Sequence, residues 1–302
     1  MSDTVTGFHI EPTNICTLKC SGCARTRFIE QWPRHWRNHS LDIDQLLNFL
    51  DIELTGKKIL LCGNYGDPIY HPNFIDLVAR LKQRGADLWI TTNGSYKTQE
   101  WWTELVSNLT STDLVTFSVD GTPDNFTKYR VNADWQSIRV GMEVVAKSQC
   151  NSTWKYIPFA FNQQDIETVE QLSQSIGIKN FRVELSDRFD EQTRELMPDV
   201  SLLGSRYLPQ VKWKSDQSDL TLTPKCHSGQ EHFITADGYY TPCCYLADHR
   251  FYYKTPFGKN KKQYDIGQHT LSEILQQPTT VEFYQTLDQQ PGCQFNCPNT
   301  VG

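Results

Sequence analysis

The chain has 302 residues, 38% apolar and 12% aromatic, with a formal net charge of −6. That aromatic content excludes a disordered chain, the acidic balance gives no support to a nucleic-acid or anionic-membrane partner, and no apolar run approaches the roughly 18 residues that span a bilayer. Residues 1–10 lack the basic start and apolar centre of a signal peptide, so a cytoplasmic protein is expected. In that reducing compartment ten cysteines point to metal binding or catalysis and not to a disulfide framework.

From GFHI at residue 7 the chain alternates short apolar runs with longer amphipathic ones. LDIDQLLNFLDIEL, FIDLVARLKQRG, QEWWTELVSNL, WQSIRVGMEVVAKS and DIETVEQLSQSIG have helical spacing; KILLC, DLWITT, LVTFSVD, WKYIPFAF and FRVEL read as the intervening strands. About six strand–helix units of this kind predict an α/β fold with a parallel sheet and right-handed crossovers, curled as a barrel or partial barrel. In such sheets the chemistry sits at the C-terminal strand ends. Ser40 and Asp165 stand where N-caps belong, and Gly85 and Gly177 where helices should end.

After about residue 186 the rhythm gives way to a connector, and from about 219 the composition changes. DLTLTPKC and HFITADGYYTPCC suggest short strands, the latter folded back through an Asp-Gly turn, and Thr270 with Glu273 forms a capping box in TLSEILQQ. The expected division is a core over residues 1–215 and a small α+β unit over 216–302.

In EPTNICTLKCSGC the residues Cys16, Cys20 and Cys23 have the spacing C-x3-C-x2-C, directly after the first strand. A structural zinc or a complete iron–sulfur site takes four protein ligands, so three either recruit a partner from elsewhere or leave one metal position open. Spacing and context together resemble the radical S-adenosylmethionine (SAM) superfamily. The resemblance implies a partial (β/α)6 TIM-like barrel in which three thiolates hold three irons of a [4Fe-4S] cluster and the fourth iron chelates SAM. Reduction of SAM then yields a 5′-deoxyadenosyl radical that abstracts a substrate hydrogen. LLCGNYGDPIYHP resembles the family's glycine-rich motif, with Gly63 and Gly66 admitting the ligand to the backbone and Asp67 at the acidic position, where Glu is commoner. Asn93 in WITTNGS, Ser118 and Asp120 in FSVDG, and Arg130 in KYRVN correspond to further SAM-binding positions. Gly22 departs from relatives that carry an aromatic residue just before the third cysteine.

The C-terminal segment resembles the twitch and SPASM extensions of the same superfamily. Cys226, Cys243, Cys293 and Cys297 would hold one auxiliary [4Fe-4S] cluster, the second expected in the chain. Five cysteines here favour the shorter, single-cluster form, and Cys244 is the spare: an alternative ligand to Cys243, a hydrogen donor, or a packed side chain.

Taken with the resemblance, these features predict a radical SAM oxidoreductase acting on a peptide or small polar substrate, fed by an external electron donor such as flavodoxin or ferredoxin. One alternative is redox-neutral epimerisation with Cys62 or Cys244 returning the hydrogen atom; another is a non-catalytic iron–sulfur or zinc-binding protein. Cys150, at a helix end, is expected to be packed. Residues 24–40 gather Arg25, Arg27, Arg34, His35, Arg37 and His39 around Trp32 and Trp36, which fits either a clamp over the barrel mouth or a solvated face above two packed rings. Tyr65, Tyr70, Tyr156 and Glu184 come from strand ends or the glycine-rich loop and so are within reach of a substrate.

Overall fold

The computed structural model describes residues 5–186, 189–207, 226, 229, 231–289, 293 and 297. Six strands alternate with helices as the periodicity predicts: β1 (Gly7–Ile10), β2 (Lys58–Leu61), β3 (Asp87–Thr92), β4 (Leu114–Ser118), β5 (Asn151–Tyr156) and β6 (Asn180–Val183). All neighbouring pairs from β1 to β6 are parallel. Between them run α1 (Ala24–Gln31), α2 (Ile43–Phe49), α3 (Phe74–Gln83), α4 (Gln99–Ser107), α5 (Trp135–Lys147) and α6 (Ile166–Ile176).

The sheet continues past the barrel. Its order is β6-β5-β4-β3-β2-β1-β7-β8, where β7 (His232–Ile234) pairs in parallel with β1, and β8 (Tyr240–Thr241) closes an antiparallel hairpin with β7. The first strand is therefore central, and all four of its residues are buried, whereas the edge strand β6 has none. A strand covered on both faces favours apolar residues, and the one polar side chain of β1, His9, is paired with Cys62 O. Beyond β8 lie α7 (Pro256–Lys259), α8 (Leu271–Gln276) and α9 (Pro278–Gln285). The basic run KNKKQY spans the end of α7 and a short 3-10 turn, Lys261–Tyr264, with Tyr264 buried. One apolar core joins barrel residues such as Phe8, Leu61 and Phe117 to Tyr240, Phe257 and Ile274 of the C-terminal unit.

The helix ends show how local chemistry sets boundaries. Gly177 sits at φ +93° and closes α6, and both halves of the Thr270–Glu273 capping box are made. The N-cap of α2 is Asp42, which accepts from Gln45 N, and not Ser40. Ser40 instead pairs its hydroxyl with Thr13 in an isolated bridge beside the cysteine loop. Asp165 stands at the N-cap position of α6 but makes no side-chain capping bond, because its carboxylate accepts from Asn125 Nδ2 at 2.7 Å. The expected boundary at 215/216 and the DLTLTPKC strand up to residue 225 lie outside the described residues. No helix among the described residues is long and apolar enough to cross a membrane.

Candidate active site

The chain leaves β1 through Glu11, Thr13 and Asn14 and enters the cysteine loop. Asn14 pins the far end of that loop, donating from Nδ2 to Arg37 O and accepting at Oδ1 from His39 N. A turn from Cys23 N to Cys20 O starts α1, and Arg25 donates back to Asn14 O and Leu18 O. Cys20 is buried among Leu18, Tyr129 and Phe159, and Cys16 and Cys23 pack against the same small cluster. Tyr129 comes from the loop after β4, and its phenol oxygen lies 2.9 Å from where a Gly22 side chain would begin. An aromatic ring therefore reaches the cysteine loop from elsewhere in the chain, beside the position where relatives carry their own.

Burial pushes the Cys16 thiol up to about 12, with the charges of Asp67 and the other two sulfurs adding to the effect. Burial likewise raises Cys20 to about 11, opposed by the Arg130 guanidinium. Thiols so placed are poor anions alone and become thiolates when a metal supplies the compensating charge. Among the described residues no three His, Cys, Asp or Glu side chains converge as ligands of a single metal ion. A cluster asks for a different arrangement, one thiolate at each of several corners, and three mutually interacting thiols in an apolar pocket fit that donor set.

The glycine-rich loop packs directly on the cysteine loop. A Cβ on Gly66 would fall 1.8 Å from Thr13 O, so only glycine fits this approach. Glu11 Oε1 accepts from Tyr65 N at 2.7 Å and Gly66 N at 3.1 Å, and burial raises this carboxyl to about 7 despite those bonds. Asp67 is buried and raised to about 6. Its Oδ1 accepts from Thr92 Oγ1 at 2.8 Å, and its Oδ2 from Asn93 N and Nδ2 at 2.6 and 2.5 Å. Ser118 is buried at the end of β4. Asp120 accepts from Ile157 N and pairs with Arg130 Nε at 2.7 Å. The structure thus brings Gly66, Asp67, Asn93, Asp120 and Arg130 beside the cysteine loop, with Gly63 against Glu11 and Ser118 buried at the end of β4.

In the C-terminal unit Cys226, Cys243 and Cys293 are buried and Cys297 is half-buried. Burial raises Cys226 to about 12 and Cys293 to about 11, and the sulfurs of Cys226, Cys293 and Cys297 act on one another; Cys243, also raised by burial, feels Cys226 and Cys293. Cys244 is half-buried, and its carbonyl accepts from Asn64 Nδ2 at 2.8 Å. Cys62 closes β2, its carbonyl bonded to His9 Nε2. Cys150 is buried against Ser148.

Much of the 24–40 segment faces solvent, with residues 30–35 and 37–39 exposed and Trp32 among them, and local bonds tie the segment down. Arg27 pairs with Asp190, and Arg37 donates to Arg34 O and Trp36 O. Phe28, Trp32 and Trp36 join His249 and Tyr65 in an edge-on aromatic cluster with centroids 5.3–6.4 Å apart. That cluster walls a cavity of about 190 Å³ between the barrel loops and the C-terminal unit, lined by Glu11, Trp36, Tyr65, Asp237 and His249 among others. Tyr65 alone of the four strand-end side chains reaches this cavity. Tyr70 bonds Ser95 O and Thr17, Tyr156 bonds Asn162 O, and Glu184 pairs with Lys155 and Arg182. Sequence reasoning missed Glu11, Asp237 and His249; Glu11 alone carried a signal, as a charged residue at the end of an apolar strand.

The Radical SAM superfamily profile matches residues 10–176, more than half of the chain. The chain belongs to the radical SAM superfamily. The SPASM profile, an iron–sulfur cluster-binding domain, matches residues 226–298. This radical SAM enzyme accordingly uses [4Fe-4S] clusters and SAM. Native anSMEcpe with bound AdoMet aligns over 96% of this chain and 89% of its own, with a TM-score of 0.57 at 13% identity. SuiB of Streptococcus suis bound to S-adenosylmethionine aligns over 96% and 71%, with a TM-score of 0.60 at 11% identity. At such identities the likeness is one of fold. The tungsten-containing aldehyde ferredoxin oxidoreductase cofactor-modifying protein of Pyrococcus furiosus is 34% identical over 119 residues, and the match spans 38% of this chain and 31% of that protein.

Proposed function

We propose that this radical SAM enzyme carries out a two-electron oxidation of a small polar molecule or a single peptide side chain admitted at the cavity between the barrel and the C-terminal unit. The observation that carries the reading is the docking of the second thiol set on the SAM side. Asn64 and Tyr65 of the glycine-rich loop bond Cys244 O and the His249 backbone, while β7 runs on from β1. When bound, SAM and its cluster supply a hydrogen-abstracting radical and the auxiliary cluster a one-electron acceptor. Cys16, Cys20 and Cys23 would hold three irons of the first cluster, and Cys226, Cys243, Cys293 and Cys297 all those of the second. Cys243, which is buried and whose sulfur interacts with those of Cys244, Cys226 and Cys293, is taken as the fourth ligand, with Cys244 beside it as the alternative. His249, whose Nδ1 lies 3.2 Å from Tyr65 Oη on the cavity wall, is placed to receive the proton that the substrate loses.

The small cavity favours a side chain or small molecule over a bulky group. The cofactor-modifying relative from Pyrococcus furiosus supports a small-molecule substrate. Epimerisation is the second reading, with Cys244, whose backbone is held by the cavity residue Asn64, as the candidate hydrogen donor.

Product analysis in deuterated water separates the two. Oxidation gives a product two hydrogens lighter with no solvent label at the attacked carbon, whereas a thiol donor leaves one deuterium there. Reconstituted protein with dithionite and SAM should release 5′-deoxyadenosine, and Cys20→Ala should abolish this while keeping about half of the iron. A Cys20→Ala protein that still cleaves SAM would remove Cys20 from the site.

A further inference from the structure

Two buried carboxylates at the strand ends each hold a polar side chain that acts on a cysteine sulfur. Asp67 fixes Asn93 through two short bonds, and Asn93 Nδ2 lies 3.7 Å from Cys16 Sγ, a sulfur that also accepts from Leu18 N at 3.4 Å. Asp120 fixes Arg130 at 2.7 Å, and the guanidinium lies 5.7 Å from the centre of the Tyr129 ring that packs on Cys20, where its charge acts on the Cys20 sulfur. The Arg130 side chain is only 15% exposed, and that of Asp120 is fully covered. By sequence resemblance these four residues serve SAM; in the fold Asp67, Asn93 and the Cys16 sulfur form a hydrogen-bonded chain, and Asp120 and Arg130 form an ion pair whose cation acts on the Cys20 sulfur.

We propose that Arg130, oriented by Asp120, and to a smaller extent Asn93, oriented by Asp67, set the reduction potential of the SAM-binding cluster through its Cys20 and Cys16 thiolates. Reduction adds one negative charge to a cluster and its sulfurs. A cation or N–H donor at a ligating sulfur stabilises the more negative state and so raises the potential. Arg130 contributes more because it is a cation, partly offset by Asp120, in a poorly screened place, whereas Asn93 offers only an N–H dipole. Both are positioning residues, acting through the ligands and not on the substrate. The consequence is a cluster that takes up its electron at a less negative potential before SAM binds than it would without these two residues.

The inference rests on Cys16, Cys20 and Cys23 as ligands, which loss of the SAM-responsive electron paramagnetic resonance signal in Cys20→Ala tests separately. The deciding experiment is a redox titration of the reconstituted full chain without SAM. The relevant signal is identified as the one that changes when SAM is later added, and the auxiliary signal serves as internal reference. Arg130→Gln should lower the reduced-to-oxidised ratio about tenfold at a fixed poise, equivalent to about 59 mV for a one-electron couple. Arg130→Lys should restore part of the shift, and Asn93→Ala should give a smaller one of the same sign. If Arg130→Gln fails to assemble its cluster, Arg130→Lys and Asn93→Ala decide by the same criterion. Wild-type potentials in the variants that assemble, with only SAM affinity reduced, would overturn the proposal and leave these residues as SAM ligands alone.

Discussion

Glu11 shows what one side chain can carry without any motif announcing it. Its carboxylate receives the backbone of the glycine-rich loop, and Gly63 is tight enough that a Cβ there would meet Glu11 Oε1 at 2.6 Å. Burial holds Glu11 protonated up to about pH 7, against an ordinary value of 4.5. Between those values the folded state binds the extra proton, so this stabilisation is complete below about pH 4.5 and is lost as the pH rises through 7. Asp67, raised from 3.8 to about 6, acts in the same direction over a lower window. The buried His9 and His232, both lowered to about 4, act oppositely, losing stability as the pH falls from 6.5. The difference between wild type and Glu11→Gln isolates the glutamate, since the amide can still accept from Tyr65 N. In thermal unfolding of the apo protein, wild type should lose stability relative to Glu11→Gln between about pH 5 and 7.5, by at most a few kcal/mol. A gap that stays constant with pH would assign no titration to Glu11.

Helices and strands in this chain follow their sequence signals closely, and the exceptions have side-chain causes. The capping box of α8 was legible because both partners lie within four residues, and Thr270→Ala should cost about 1 kcal/mol in denaturant unfolding. A loss below about 0.3 kcal/mol would show that burial of Leu271, Ile274 and Leu275 carries the helix alone. Ser40 misled because its hydroxyl had two possible employments, and the partner that won, Thr13, lies 27 residues away. Asp165 stands at the N-cap position of α6 as expected but makes no side-chain capping bond, because its carboxylate is taken by Asn125, 40 residues distant. Helix α1 occupies the first half of the basic, tryptophan-bearing stretch 24–40. Its identity as a wall depends on His249, more than 200 residues away, and no local pattern carries that.

At the scale of the molecule, the C-terminal unit is knitted into the barrel through β7 on β1, and the glycine-rich loop grips it by Asn64 to Cys244 O and Tyr65 to His249. Replacing Tyr65 by Phe removes the acceptor of the His249 N–H and the partner of its Nδ1. Combined with Asn64→Ala, it should speed amide exchange across residues 244–254 by about tenfold or more, with α3 to α5 unchanged. Equal exchange in both proteins would show that β7 and the shared apolar core hold the units together unaided. The match to a radical SAM profile over residues 10–176 agrees with the part of the chain where the strand–helix rhythm was clearest.

The sequence by itself determined the parallel α/β barrel, because period-two and period-3.6 patterns are local, and it determined the superfamily, because C-x3-C-x2-C and the glycine-rich segment are contiguous. Only the tertiary structure decided that the sheet runs on into the C-terminal unit. It alone decided that Tyr129 covers the space beside Gly22, that Asp67 and Asp120 spend their oxygens on Asn93 and Arg130, and that the tryptophan-bearing segment walls a cavity. Each of these joins residues far apart in the chain, and such contacts are selected by packing and burial in three dimensions, for which a one-dimensional pattern carries no signal.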